Sequence, residues 1–536
     1  MKLRSTVAAK CSLLARCESG GGRLIWVTGF YFLLCLLIQF GTRAWHADFT
    51  SFSDEPSHFV GAVMFYDWLH SGHWLEPLEF ARTYYQSYPF FAIGYWPPLF
   101  YLLLAFDFLL AGIGRAQALL VPALAAAATA AFVYSLLRNR AGRIPALCAG
   151  IIYLSLPGIQ RSMCAVMVDH VTAAFCIGFG ICFLRYLQRP GCFNAVLCSI
   201  VCGLGILAKY SAAYLLAVPF ITVLLLRRAN LLKKPSFVIQ PFLVALIAGP
   251  WMIWTRKLMY YGLPTEQPAL NLLRGMQFLT EPFHLFPLPL LPVILAGLLL
   301  LIALRRAWGQ DVLVLVLIGF LNLAFLFISP VEADPRYMLA PAAVILALSA
   351  AGWAAGLPLV PGLRRRAKAA PLFAAAVAAA CFWASFGRYP RPAQQEIHTA
   401  VEAIVRNPAW DGQTLLVPPD LEGPTIAEFA AQVQGRRGYR LLRPSKVLAS
   451  SDWFGNHYSS RFSTPEQLLG YFRSASVQVI MWHAGPEAAV WPHERLLVEM
   501  FAKYRSEWPL AATLRCGSAA PCWYIYSHTT PARARF

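Results

Sequence analysis

The residues that could do chemistry lie at the edges of long apolar runs. Asp54 and Glu55 stand together in "SFSDEPSHFVGAVMF", residues 51 to 65, just after the first such run. Locally they read as a helix start, with Ser53 or Asp54 as cap and Pro56 in the first turn. A partly desolvated carboxylate at a membrane surface could also act as a general base on an acceptor hydroxyl. Spacing alone leaves both readings open. His58 could share a helical face with Asp54. Asp169 and His170 are embedded in the apolar stretch "CAVMVDHVTAAF". An acid in such a place costs energy unless it is paired or wet, which makes Asp169 a functional candidate. Lys209 in "GLGILAKYSAAYLL" and Arg336 in "EADPRYMLAP" are cations at the level where a lipid phosphate would sit. Lys and Arg recognise phosphate through charge-assisted hydrogen bonds. The alternative for each is snorkelling, with the stem in lipid and the charge among headgroups. "GYWPPLFYLLL", residues 94 to 104, places Trp96 before two prolines and by itself signals only the start of a helix.

Weaker candidates are His284, near the end of a loop, and Glu332 and Asp334, which flank Arg336 and read as solvated. No HExxH, paired CxxC or His-rich cluster marks a tight metal site, so a divalent metal is left open. Neither a Walker A motif nor a Rossmann glycine fingerprint is present, which argues against a nucleotide cofactor.

These residues need a membrane frame to hold them. Of 536 residues, 58% are hydrophobic and only 13% charged, where a soluble enzyme carries about 25% charge. Candidate spans are 24–44, 116–137, 144–160, 166–185, 193–208, 210–226, 237–255, 285–304, 311–329, 337–357 and 370–387. The run 98–112 is short for a span and contains Asp107. If it crosses, the basic loop "RNRAGR" at 138–143 falls outside. If it lies in the interface, that loop falls inside. Arg185, Arg189, the basic residues of 227–234, Arg305, Arg306 and the 364–368 run then fall inside with it, as the positive-inside rule expects.

The reading is therefore a polytopic α-helical membrane protein of eleven spans, with interfacial juxtamembrane helices in the first outer loop. Residues 1–23 are expected in the cytoplasm as a signal anchor, with no small-x-small cleavage site after the first span. Residues 24–387 form the transmembrane domain, with the first outer loop at 45–115. Residues 388–536 have ordinary polarity, with a helical "TPEQLLGYFRSA" and strand-like "TLLVPP", "VQVIMW" and "CWYIYS". They read as a small soluble α/β domain on the outer side. Cys516 and Cys522 flank a turn there, either as a disulfide or as two thiols. The net charge of +19 is accounted for by inner loops, and no long basic tract interleaved with aromatics suggests nucleic acid.

The ordered set of motifs resembles the GT-C membrane glycosyltransferases, in particular the branch holding the protein O-mannosyltransferases and the lipid A aminoarabinose transferase. The resemblance covers roughly residues 24 to 357. It rests on Asp54 with Glu55, on Pro97 and Pro98, and on Asp169 after the third span. It rests also on Lys209, and on "PRYMLAPAAVILALSAAG" with Arg336 and Tyr337. The resemblance implies transfer of a sugar from a polyprenyl-phosphate carrier to an acceptor on the outer side, the acceptor being a glycan, a lipid or a protein. It implies that Asp54 is the base or orients the acceptor, and that Lys209 and Arg336 hold the departing phosphate. It points to inversion of the anomeric centre. The sequence departs from the family before the proline pair. The aminoarabinose transferase has Glu-Lys there and the mannosyltransferases a His, whereas this chain has Tyr95 and Trp96. Trp96 could stack on a sugar face instead.

Two other classes compete. A secondary transporter could use acids and cations as coupling sites, but these candidates gather at one membrane boundary and no repeated half is visible. A non-catalytic envelope protein that binds lipid is the other. Compact loops and the resemblance to bacterial members point to a bacterial inner membrane with the site facing the periplasm, an endoplasmic reticulum lumen being the alternative.

Overall fold

Apolar runs become helices because a helix satisfies its own backbone groups where water is absent. The computed structural model describes residues 21–92, 94–258, 275–278, 285–304, 308–329, 333–359, 369–386, 396–433, 438–451, 457–483, 489–516 and 521–529. His284, Arg305, Arg306, Glu332 and the 364–368 run lie outside them. Among the described residues, six helices are long and apolar enough to cross a membrane. They are Gly22–Gly41, Arg115–Leu137, Asp169–Gln188, Pro235–Thr255, Gln310–Ile328 and Pro335–Gly356. Shorter apolar helices are Leu99–Ala111, Arg143–Leu154, Cys192–Ala208, Tyr210–Leu225, Leu291–Ala303 and Ala370–Ser385.

Two boundaries differ from expectation for local reasons. The run 144–160 is broken into Arg143–Leu154 and Pro157–Met163. Pro157 has no N–H to continue the first helix and keeps Leu156 extended, so a new helix starts on the proline. The run 210–226 opens as a 3-10 turn, Tyr210–Leu216, before the helix Ala217–Leu225.

The chain divides into two compact units. The first holds Met1–Trp45, Gly94–Phe100 and Leu119–Arg391. Its helices Leu120–Leu137 and Asp169–Gln188 are mostly buried, whereas Gly21–Gly41, Pro235–Thr255 and Ala370–Ser385 present Trp26, Leu246 and Trp383 outward. An apolar outer face of this kind suits lipid rather than water. Small residues bring backbones together inside it. A methyl group on Gly352 would lie 1.9 Å from the Gly297 carbonyl oxygen, so helices Leu291–Ala303 and Leu339–Gly356 pack backbone to backbone.

The second unit holds His46–Ile93, Tyr101–Ala118 and Pro392–Phe536. Its strands are β1 Thr414–Leu416, β2 Arg440–Leu442, β3 Ala449–Ser450, β4 Ser459–Ser460, β5 Val477–His483, β6 Leu510–Arg515 and β7 Pro521–Ser527. The main sheet runs β2-β1-β5-β7-β6, with β1 parallel to β2 and β5, and β7 antiparallel to β5 and β6. β5 is buried almost throughout, as a strand covered on both faces must be. Leu468 and Phe472 from Pro465–Ser474, and Leu497 and Met500 from Pro492–Lys503, fill the core with Trp508. Cys516 and Cys522 are joined as a disulfide, their Cα atoms 5.6 Å apart.

This unit also takes in much of the first loop. The helix Glu422–Val433 packs on the helix Glu55–Ser71. Arg443 donates to Glu422 Oε2 at 2.8 Å and to the Pro89 carbonyl at 3.3 Å, and its guanidinium lies 4.4 Å from the Phe90 ring centroid. Glu422 also accepts from the Ser445 amide and hydroxyl. The acid is thus fully engaged within the fold.

Candidate active site

Four sequence candidates come together in the first unit. Asp169 is the first residue of helix Asp169–Gln188 and is 4% exposed. Lys209 ends helix Cys192–Ala208 in an extended conformation, its amide donating to the Gly205 carbonyl. That break turns its side chain across to the neighbouring helix, where Nζ meets Asp169 Oδ1 at 2.5 Å. Arg336 lies in the short 3-10 turn Pro335–Met338. Asp334 builds that turn by accepting from the Arg336 amide at 2.9 Å, and its other oxygen lies 3.7 Å from Arg336 Nε. Tyr337 joins the two cations. Its ring centroid is 4.3 Å from Lys209 Nζ and 5.0 Å from the Arg336 guanidinium, and Arg336 Nη2 donates to its hydroxyl at 3.0 Å. Two cations are thus held on one aromatic ring, each beside a carboxylate, a preorganised place for an anionic group.

The remaining candidates are placed as follows. Trp96 is half-buried in the first unit, edge-on to Tyr95 at 4.9 Å. In the second unit, Asp54 stands at the start of helix Glu55–Ser71, half-buried, and its side chain makes no capping hydrogen bond. Pro56 sits in the helix's first turn, and the helix N-terminus attracts negative charge. Glu55 is fully buried. It pairs with Arg115 at 2.5 Å and accepts from the Ser51 amide at 3.1 Å. His58 is 1% exposed, with its ring 5.8 Å from that of Tyr101. The two adjacent acids therefore have different surroundings, Glu55 fully buried against Arg115 and Asp54 half-buried at the helix start. Among the described residues, no three His, Cys, Asp or Glu side chains group as metal ligands.

Residues 96–254 match the family model described as dolichyl-phosphate-mannose-protein mannosyltransferase. This stretch contains Trp96, Asp169 and Lys209. The whole chain resembles ArnT from Cupriavidus metallidurans bound to undecaprenyl phosphate, with a TM-score of 0.61 at 14% identity, over 95% of this chain and 99% of that one. The apo state of the same protein gives 0.59 over 95% and 98%, again at 14% identity. Archaeal oligosaccharyltransferase AglB from Archaeoglobus fulgidus, in complex with an inhibitory peptide and a dolichol-phosphate, gives 0.53 at 12% identity over 88% and 72%. The chain has the GT-C fold. No curated protein sequence matches it.

Within this GT-C frame the structure adds a residue that sequence reading missed. Tyr210, next to Lys209, donates to the Gly94 carbonyl at 3.1 Å, accepts from the Trp251 indole at 2.9 Å and lies 2.9 Å from Thr255 Oγ1. Gly94 has φ +81°, and a methyl there would lie 2.8 Å from Leu258. Only glycine fits that turn. Tyr210 thus pins the start of the Tyr95-Trp96-Pro97-Pro98 segment to the end of helix Pro235–Thr255. The available signal was a tyrosine flanking a charged candidate, too common to stand out. Tyr210→Phe is expected to cost about 1–3 kcal/mol, because it strips partners from buried polar groups. The thermal unfolding midpoint in detergent should fall; an unchanged midpoint would mean the network is idle.

The far end of the GT-C helices carries other charges. Helix Asp169–Gln188 is about 30 Å long at 1.5 Å per residue. At its C-terminal end Arg228 donates to the Leu187 carbonyl at 3.2 Å and to Gln310 Oε1 at 3.4 Å. Arg140 pairs with buried Asp311 at 2.5 Å, near the start of helix Gln310–Ile328. These cations belong to loops expected inside, and they lie at the end of the bundle opposite Asp169 and Lys209.

Proposed function

We propose that this protein is a glycosyltransferase moving a sugar from a polyprenyl-phosphate carrier to an acceptor on the outer face of the membrane. The observation that carries this reading is the pair of cations, Lys209 and Arg336, held on Tyr337 in a chain with the GT-C fold. ArnT bound to undecaprenyl phosphate and AglB with a dolichol-phosphate support a lipid phosphate as the donor's leaving group.

Asp54 takes the proton from the acceptor hydroxyl. The acceptor oxygen forms the new bond to the anomeric carbon, the bond from that carbon to the phosphate oxygen breaks, and its electron pair leaves with the phosphate. Lys209 and Arg336 meet the charge that develops there, where preorganised donors contribute most to rate. Asp169 holds Lys209 in place, and Glu55 with Arg115 sets the helix that carries Asp54. Trp96 offers a face for the sugar. A single displacement inverts the anomeric centre. We assign His58 to the packing beneath Asp54 rather than to direct contact.

In this reading the six long helices and five of the shorter ones are taken as eleven spans, with Leu99–Ala111 in the interface. On the positive-inside rule, residues 1–23 and the Arg140 and Arg228 loops would then face the cytoplasm, and the Asp169 end with residues 388–536 a bacterial periplasm.

Native mass spectrometry of protein purified in mild detergent tests this. The expected spectrum shows a bound polyprenyl phosphate or its glycosylated form, whose mass names the sugar. Lys209→Met combined with Arg336→Met should lose it. Failure to bind added polyprenyl-phosphate sugars would remove the donor site.

A further inference from the structure

A cleft in the second unit has no part in the transfer step. It lies in "FYDWLHSGHWLEPLEFARTYYQSY", where Gly72 in a left-handed conformation ends helix Glu55–Ser71 and Pro77 opens helix Pro77–Ser87. Phe80 and Tyr84, four residues apart, share one face of the second helix, and Tyr88 follows just past its C-terminal end. Their rings form a continuous strip, Phe80 to Tyr84 at 6.2 Å and 26°, and Tyr84 to Tyr88 at 5.1 Å and 32°. Asp67, His70 and Ser71 from the first helix line the same cleft. His70 Nδ1 lies 3.0 Å from the Tyr66 carbonyl, which can only accept, so the neutral ring carries its proton there and offers Nε2 as an acceptor. The cleft encloses about 570 Å³, within the ~300–1,000 Å³ usual for ligand sites.

The lining selects a ligand class. Among the described residues that line it there is no Lys or Arg, which disfavours a phosphate or other anion. Carboxylates on the rim, Asp67 and Glu76 among them, disfavour a purely apolar guest. A sugar satisfies both walls. Its C–H face meets the negative face of an aromatic ring, and its hydroxyls donate to carboxylate and imidazole. Burial, with Asp67 close by, pushes the Tyr84 and Tyr88 phenols up, so both stay protonated as donors.

We propose that this cleft binds a neutral saccharide and holds the acceptor by sugar units other than the one that reacts. Its acceptor role rests on the glycosyl-transfer reading; its saccharide binding does not.

The test uses the full-length protein in detergent and saturation-transfer NMR. The probes are neutral di- to tetrasaccharides of glucose, mannose, galactose and N-acetylglucosamine. At least one is expected to receive saturation. Asp67→Asn and, separately, Thr83→Trp, which fills the cleft from an exposed wall position, should each weaken it about tenfold or more. Native mass spectrometry of the same samples should show polyprenyl-phosphate binding unchanged. If no probe receives saturation, or if the signal survives both variants, the cleft is not a saccharide site. Saccharide binding without any lipid-phosphate binding would instead overturn the transfer reading and leave the cleft assignment standing.

Discussion

Asp54→Asn is expected to slow sugar transfer by about 10²–10⁴-fold, the range for loss of a general base. Asparagine keeps the shape and is an equally good helix cap, but it cannot take a proton. The helix should survive, because Pro56 holds its first turn and the buried Glu55–Arg115 pair anchors it. Glu55→Gln provides the contrast. Removing one partner of a buried pair costs about 3–5 kcal/mol, because the other charge is left without compensation. That variant should lower the unfolding midpoint sharply, whereas Asp54→Asn should leave it near wild type. The measurement is the transfer rate at saturating polyprenyl-phosphate sugar beside a thermal melt of each variant. A wild-type rate in Asp54→Asn would place the base elsewhere.

Lys209→Met is expected to weaken binding of polyprenyl phosphate by about 10- to 150-fold, equivalent to one charged hydrogen bond of roughly 1.5–3 kcal/mol. The same change takes a cation from Asp169, which is nearly buried and meets Lys209 at 2.5 Å. Loss of stability would therefore accompany loss of affinity, and the single variant cannot separate them. The double variant Lys209→Met with Asp169→Asn does. It removes the buried carboxylate charge and should recover most of the stability, while affinity stays low because the cation proposed to face the phosphate is still missing. Titration of the lipid by native mass spectrometry, with a melt of each protein, reads both quantities. If the double variant binds the lipid as wild type does, Lys209 serves only Asp169.

Much of this site was legible because membranes impose strong rules. Asp169, Lys209 and Arg336 stand out as charges at the ends of apolar runs, where a charge is costly without a purpose. The strands at "TLLVPP", "VQVIMW" and "CWYIYS" were legible from β-branched and aromatic content, and β5 and β7 follow them. β2 and β6 were not, because "RLL" is too short to show a period and β6 is an exposed edge. Glu55 looked like a partner of Asp54 because the two are adjacent. Its actual partner, Arg115, is supplied by a distant part of the chain, with no local signal.

The sequence alone determined that this chain is a membrane protein whose charges are sorted between two ends, since hydropathy and loop charge are properties of segments. It also determined, through ordered motifs, which superfamily to look in. Only the tertiary structure decided which charges meet. Asp169 and Lys209, Lys209 and Tyr337, and Glu55 and Arg115 are contacts between segments far apart in sequence, and each depends on where helices end and how closely they pack. The grouping of the first loop with residues 392–536 was decided there too, by Glu422, Arg443 and the packing of Glu55–Ser71 on Glu422–Val433. Hydrophobic pattern shows that a face will be covered, but not which distant segment covers it.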